Sequence, residues 1–471
     1  MNIIFIMSDT FRYDHCGFNG CATVKTPNLD RFAAESAIFD NAYSDNLPTL
    51  PNRASLLLGR CTWPELGWEP LPADKACLPQ LLHEQGGYDT ALVGDTVPVF
   101  TGRSGYTRDF GYVKYERGHA GRGNPPRLQA VEVDVAGYVP PGREYKQIEQ
   151  LVRYLKFRSD WKSSEDCLAA RSVRNAIEWL DSRKNDDPFL LWLDIWDPHE
   201  PWDPGEEFVA LYPKPDIGWR TYYPPGGKQE DTGLTDEEME AVRATYAAMV
   251  TQTDHYLGRL LDCARAKGLM ENTLVIFTTD HGTHLGKGKW GHGILRKNRP
   301  WPFEELAHTP LLIHHPEGHG VGQRFRTFVQ PFDLTATMLD FAGLEIPGNM
   351  DGRSLLGVLS GSQADIRDCA LAGHHNMGRG VFSRALYTED WFYGEWYLTM
   401  RGNPLLDDTL PPHLCERKTD PHQLDNILPQ NMEKAAKVRA RMIQYIQQTQ
   451  AFREGRMTQL MDPGMKTGAN F

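Results

Sequence analysis

The sequence predicts an α/β fold: a mostly parallel sheet sandwiched by helices, followed by a smaller C-terminal α+β subdomain. Three observations carry this. Short apolar runs (IIFIM near the start, FLLWLDI, TLVIFTT) read as strands buried on both faces. Segments with helical spacing alternate with them, as in a parallel sheet covered on both sides. After about residue 365 the texture changes to aromatic–polar alternation, as in ALYTEDWFYGEWYLTM, which suits antiparallel strands.

Length bounds the organisation. A chain of 471 residues is too long for one simple core and divides into a large unit, residues 1–365, and a smaller one, residues 366–471. The net charge of −12 argues against nucleic acid as a partner. No apolar run reaches the roughly 18 residues that a membrane span needs. MNIIFIMSDT has no basic region or cleavage site, so it reads as a strand and not as a signal peptide, and a cytoplasmic protein is expected. The cysteines (Cys16, Cys21, Cys61, Cys77, Cys167, Cys263, Cys369, Cys415) are scattered without a CxxC pair, which predicts free thiols.

Along the chain, IIFIM is the first strand and ends at Ser8-Asp9. TPNLDRFAAESAIFDNAY reads as a helix, capped by Thr26 or Asn28, with Leu29, Phe32 and Ala33 on one face. A second helix starts at Thr49 and runs to Leu58. LPQLLHEQGGYDTALVGD is a helix, a glycine stop and a strand. Residues 100–160 are rich in Gly, Arg and Tyr with weak periodicity, an irregular excursion that shapes either the substrate pocket or an oligomer contact. FLLWLDIWDPHEPWDPG is a buried strand ending in a Pro-rich polar loop. The stretch from Thr235 is a long amphipathic helix opened by a Thr235–Glu238 capping box. NTLVIFTTDHG and TPLLIHHP are further strands, and PQNMEKAAKVRARMIQYIQQTQ is a terminal helix.

Ligands of open α/β sheets bind at the carboxyl ends of strands. Two strands end there in acids, Asp9 and Asp280, and His281 follows directly. One such Asp is ordinarily a cap or a turn former; several at one edge make a metal site of mixed oxygen and nitrogen character. SDNLPTLPNRASLLLGR sets Thr49 before Pro51, Arg53 and an apolar helix, the arrangement of a nucleophile, or of a simple cap, at a helix N-terminus.

These motifs, in this order, resemble the sulfatase family of the alkaline phosphatase superfamily, so the large sheet is expected to be alkaline-phosphatase-like. TPNLDRFAAESAIFDNAY, PNRASLLLGR, MENTLVIFTTDHG, DGRSLLGVLSG and KTDPHQLDNIL carry the resemblance across nearly the whole chain. It implies Asp9, Asp280 and His281 as metal ligands, with Thr49 at the nucleophile position and as a fourth ligand. It also implies Arg53 on the nucleophile oxygen and the substrate anion, His199 at the leaving group, and Lys297 in the active site. His292 is a further candidate in the loop of Lys297. Asp194, Asp197, His199 and His292 are candidates for a second metal. The plainer alternatives are Arg53 paired with a carboxylate, His199 satisfying a turn, and Lys287, Lys289, Arg296 and Lys297 as a solvated loop.

Departures from the family pattern bear on the reaction. Sulfate-ester hydrolases of this family carry C-x-P-S-R or S-x-P-S-R, whose first residue becomes formylglycine. Here the stretch is Thr49-Leu50-Pro51-Asn52-Arg53, and threonine cannot give that aldehyde. Thr10 stands where many sulfatases have a second Asp. Asp95-Thr96-Val97 replaces the usual lysine and histidine, and Asp95 is read as a contact for a cationic or hydroxylated substrate group. Threonine oxygen can attack phosphorus and be released by water. The expected function is therefore a metal-dependent hydrolase of phosphate diesters or phosphonate monoesters through phospho-Thr49. A sulfatase working without formylglycine and a non-catalytic binding relative are the alternatives. Two aspartates, a histidine and a threonine favour Zn²⁺ or Mn²⁺ over Ca²⁺. The expected partner is a small anionic ester, with no nucleic acid and no membrane; a homo-oligomer is left open.

Overall fold

The computed structural model describes the chain apart from residues 102–103, 119–129, 144, 298–301, 377–380, 399–410 and 455–471. In chain order the strands are β1 (Asn2–Ser8), β2 (Ala37–Ala42), β3 (Asn46–Leu47), β4 (Asp89–Gly94), β5 (Tyr112–Tyr115), β6 (Phe189–Ile195), β7 (Gly227–Lys228), β8 (Thr273–Thr279), β9 (Leu285–Gly286), β10 (Ile294–Leu295), β11 (Leu311–His314), β12 (Arg324–Val329), β13 (Cys369–Asn376), β14 (Val381–Thr388), β15 (Trp391–Leu398) and β16 (His413–Glu416). The main sheet has the order β12-β2-β11-β8-β1-β6-β4-β5. Only β11 runs against the rest.

The continuous apolar runs are explained by two cores, one on each face. Ile3, Phe5 and Met7 of β1 join Trp192 and Ile276 on one face, under the helices α2 (Thr49–Leu58) and α3 (Leu78–Gly86); the helix α1 (Pro27–Ala34) lies on the other face. Ile4 and Ile6 join Leu191, Leu193, Val275 and Phe277 on the other, under α1 and the helices Leu168–Ser182 and Asp236–Ala266. With every residue of β1, β6 and β8 buried, period-2 alternation sorts side chains between two apolar layers and leaves no polar face to read.

The expected elements form, with two differences. TPNLDRFAAESAIFDNAY is not one helix: α1 stops at Ala34, and Ala37–Ala42 is β2, paired with β11 and β12. Sheet pairing overrides the helical spacing there. Thr26 is the N-cap residue but makes no side-chain cap bond. Instead the Asp254 carboxylate, on the long helix, accepts the Asn28 and Leu29 N–H groups at 3.1 and 2.7 Å. The 100–160 stretch, expected to be irregular, contributes the edge strand β5 and the helix Ile148–Phe157. The Thr235–Glu238 capping box is present.

The second sheet has the order β16-β15-β14-β13-β3, and the terminal helix Met432–Gln447 packs on it. Its edge strand β3 lies immediately before Thr49, so the C-terminal sheet braces the entry to α2. A small third sheet, β7-β10-β9, carries the loop that ends at Lys297. All eight cysteines are free thiols. Among the described residues no helix is long and apolar enough to cross a membrane.

Candidate active site

The neighbours β8, β1 and β6 deliver their carboxyl ends to one place, which is why residues 9, 194 and 280 meet despite their separation in sequence. A carboxylate oxygen of Asp9, one of Asp280 and a ring nitrogen of His281 lie within 4.8 Å of one another, all fully buried. His281 Nδ1 donates to the Gly282 carbonyl at 2.7 Å, which turns the Nε2 lone pair toward the carboxylates. Asp9 Oδ2 is buried without a hydrogen-bond partner. Two carboxylates, a fixed imidazole and an orphaned carboxylate oxygen are a donor set that fits a divalent cation.

Charge balance points the same way. With all three ionised, the carboxylates of Asp9, Asp194 and Asp280 would exceed the cations Arg53 and Lys297 by one negative charge, which a divalent cation would offset. Burial opposes ionisation of Asp9, yet Lys297, His199, His281 and Arg53 hold its carboxyl well below the usual range. Burial, with the charge of Asp9 beside it, pushes Asp280 up. Burial and Lys297 push His281 down to about 3, so its imidazole is neutral and able to act as a ligand.

Thr49 is the first residue of α2 and 1% exposed. It is not the cap: Pro48 holds that position, without a side-chain cap bond. The Thr49 carbonyl accepts Arg53 Nη1 at 3.1 Å, and the same Nη1 donates to Asp280 Oδ2 at 2.6 Å. One guanidinium group thus joins the helix start to the carboxylate cluster. Asn52 adds a second tie, donating to the Asp280 carbonyl at 3.1 Å and to Ser44 Oγ at 2.8 Å. The residue that breaks the modification motif therefore stitches α2 to the end of β8.

Arg53 follows the plainer alternative in this structure. Its Nε and Nη2 grip Asp194 bidentately, each at 2.8 Å, and its remaining contacts go to Asp280, Asp9 and Thr49. Asp194 is accordingly the anchor of Arg53 and not a free metal ligand. Close packing makes this possible: a Cβ on Gly94 would lie 1.8 Å from the Asp194 carbonyl oxygen, so only glycine fits at that point of β4.

Lys297 reaches the cluster, with Nζ 3.3 Å from Asp9 Oδ1, 3.1 Å from Thr10 Oγ1 and 3.3 Å from His281 Nε2. Thr10 holds φ +67°, a conformation costly for a β-branched residue. Its N–H donates to Asp280 Oδ1 at 3.0 Å and its hydroxyl to Asp9 Oδ1 at 2.6 Å. The Thr10 hydroxyl thus hydrogen-bonds the acid before it.

His199 follows β6 in the Pro-rich loop, stacked on Trp196 with ring centroids 3.9 Å apart. Its Nδ1 donates to the Glu200 carbonyl at 2.6 Å, leaving Nε2 as the reactive nitrogen. Burial lowers its pKa to about 4, against the pull of the Glu200 carboxylate at 3.5 Å. Glu200 is in turn ion-paired with Arg296, whose guanidinium lies 4.6 Å from the Tyr223 ring centroid. Glu200 is the site residue that sequence reading missed, its one signal being adjacency to His199; Arg296, read only as part of a solvated loop, is instead largely buried and paired with it.

Other expectations are corrected. Asp95 does not face a ligand: it is fully buried and accepts Ser172 Oγ at 3.2 Å and the Trp196 N–H at 3.3 Å, bracing the His199 loop. His292 is outside the centre, stacked on Phe303 at 3.7 Å with Nε2 3.4 Å from Glu305. Asp194, Asp197, His199 and His292 form no second ligand set among the described residues. Lys287 and Lys289 are exposed, as the solvated-loop reading has it.

Residues 1–344 match the family model described as sulfatase, and residues 291–451 match that of the N-sulphoglucosamine sulphohydrolase C-terminal region. An arylsulfatase of Clostridium perfringens is 26% identical over 91% of this chain and 90% of its own. Arylsulfatase K of Canis lupus familiaris is 27% identical over 90% of this chain and 78% of its own. Among solved structures, the phosphonate monoester hydrolase of Agrobacterium radiobacter has a TM-score of 0.73 at 22% identity, covering 97% of this chain and 96% of that one. The phosphonate monoester hydrolase SpPMH of Silicibacter pomeroyi has a TM-score of 0.70 at 21% identity, covering 97% and 96%. Likeness at these identities speaks to the fold, which is alkaline-phosphatase-like.

Proposed function

The chain belongs to the sulfatase family of metal-dependent hydrolases, and we propose that it cleaves phosphate diesters or phosphonate monoesters with Thr49 as nucleophile. The observation that carries this reading is Thr49 itself. It is a residue that cannot become formylglycine, at the N-terminus of α2 and tied through Arg53 to Asp280. A divalent cation on Asp9, Asp280 and His281, with Thr49 as fourth ligand, would lower the pKa of the Thr49 hydroxyl and offset the ester's charge. Imidazole beside carboxylates favours Zn²⁺ or Mn²⁺ over Ca²⁺. Lys297 and that cation would compete for Asp9 Oδ1 and His281 Nε2.

The chain's residues then divide the work. Thr49 Oγ1, its proton lost to solvent, forms the bond to phosphorus as the ester oxygen leaves; water oxygen later bonds to phosphorus as the Thr49–phosphorus bond breaks, and Thr49 Oγ1 regains a proton from that water. Helix N–H groups and Lys297 stabilise the charge that develops on the phosphoryl oxygens. Arg53, spent on Asp194 and Asp280, positions the helix start and the ligand carboxylate. His199 is neutral before substrate arrives; a bound anion raises its proton affinity, and Nε2 then protonates the leaving oxygen. We place the reaction in the cytoplasm, supported by eight free thiols.

A sulfatase that dispenses with formylglycine is the second reading, favoured by the arylsulfatase names of the sequence relatives. The test assays one preparation, metal-analysed beforehand, on bis-aryl phosphate, aryl phosphonate and aryl sulfate. Phosphoryl turnover above sulfate turnover, with phosphothreonine at residue 49 found by mass spectrometry after acid quench, is the expected result. Sulfate turnover exceeding both phosphoryl activities overturns it.

A further inference from the structure

A second histidine–carboxylate cluster lies beyond the C-terminal end of β11, at the opposite end of the main sheet's strands from Asp280. Because β11 opposes β8, Leu311 sits beside Thr278 and His314 beside Val275, so the C-terminal end of β11 points away from Asp280. The chain there reads His315-Pro316-Glu317-Gly318-His319-Gly320. One nitrogen each of His315 and His319 and a carboxylate oxygen of Glu317 lie within 4.8 Å of one another.

The loop is built to hold them together. His315 is buried, its ring edge-on to Phe341 at 5.5 Å, and its Nδ1 accepts the Glu317 N–H at 3.3 Å. Gly318 and Gly320, at φ +74° and +72°, curl the chain back so that His319 Nε2 reaches Glu317 Oε2 at 2.9 Å. His314 takes no part: its two ring nitrogens meet the carbonyls of Glu35 and Met270. Among the described residues Glu317 pairs with no Lys or Arg, only with His319. Burial and the neighbouring His319 keep the His315 pKa below its ordinary value, which favours the neutral ring that a metal ion requires.

We infer that His315, Glu317 and His319 form a second metal site, remote from the catalytic centre, that takes a divalent ion of the Zn²⁺ class. Two imidazoles and one carboxylate suit that ion, with water as a fourth ligand. Binding would replace the His319–Glu317 hydrogen bond with bonds from both side chains to the ion. The ion would pin the Gly-rich connection between β11 and β12 and stabilise the fold in proportion to its occupancy.

The test uses the full chain without an affinity tag. Wild type and a Glu317→Gln/His319→Ala variant are dialysed together against the same free Zn²⁺, and bound zinc per chain is measured by mass spectrometry. Glu317 is exposed and His319 half-buried, and both are distant from Thr49, so ester turnover and circular dichroism should be unchanged. The expected result is one equivalent less zinc in the variant, with loss of the zinc-induced rise in melting temperature. Equal zinc content in the two proteins, at any level, overturns the inference.

Discussion

Asp194→Asn is the sharpest probe of the site. The carboxylate is buried and takes two guanidinium N–H bonds from Arg53, each at 2.8 Å, and one from Trp192 Nε1 at 3.2 Å. An amide of the same shape can accept from one guanidinium nitrogen but presents its own N–H groups to the other. Breaking a buried ion pair from one side costs about 3–5 kcal/mol, because the partner charge stays buried. The entropy of unfolding of a 471-residue chain, at about 2 cal/mol/K per residue, converts this into a fall in melting temperature of about 3–5 °C. Arg53 would then lean wholly on Asp280 and Asp9 and compete with the metal, so metal affinity and kcat should both fall, while saturating metal still fills one site per chain at the centre. The assay pairs thermal unfolding with metal titration. A melting temperature within 1 °C of wild type, or a variant that loses a whole metal equivalent, would refute the anchor role; the second result would restore Asp194 as a ligand.

Other expectations follow from the same geometry. Thr49→Ala should lower kcat by at least about 10³-fold with metal content intact, and Thr49→Ser should retain measurable turnover. Glu200→Gln removes the negative charge that raises the His199 pKa, so His199 should lose its proton at lower pH. The alkaline limb of kcat/KM should move down by about one unit, and an upward move would exclude His199 as the acid. Asp95→Ala removes the acceptor for Ser172 and Trp196 and should cost about 1–3 kcal/mol of stability. If Asp95 instead contacted substrate, KM would change with stability preserved. Chelation should abolish turnover, and Zn²⁺ or Mn²⁺ should restore it better than Ca²⁺; restoration by Ca²⁺ alone would contradict the donor-set argument.

The sequence by itself determined the fold class, the strand ends and the family. β1, β6 and β8 are legible because a strand buried on both faces must be apolar throughout. Asp9, Asp280 and His281 are legible because polar residues that end such runs have few other reasons to be there, and Thr49 because its motif surrounds it. What sequence could not decide was which charges pair. Asp194 and Asp95 look alike on paper, both acids at strand ends, yet one holds Arg53 and the other braces Trp196. The strand half of TPNLDRFAAESAIFDNAY was hidden because its structure comes from β11 and β12, more than 260 residues away. Glu200 was hidden because its partner Arg296 is distant in the chain. Apolar periodicity is a local property and survives in a linear reading. Ion pairing in a buried site depends on distances of a few ångströms between segments far apart in sequence, and only the folded chain sets those.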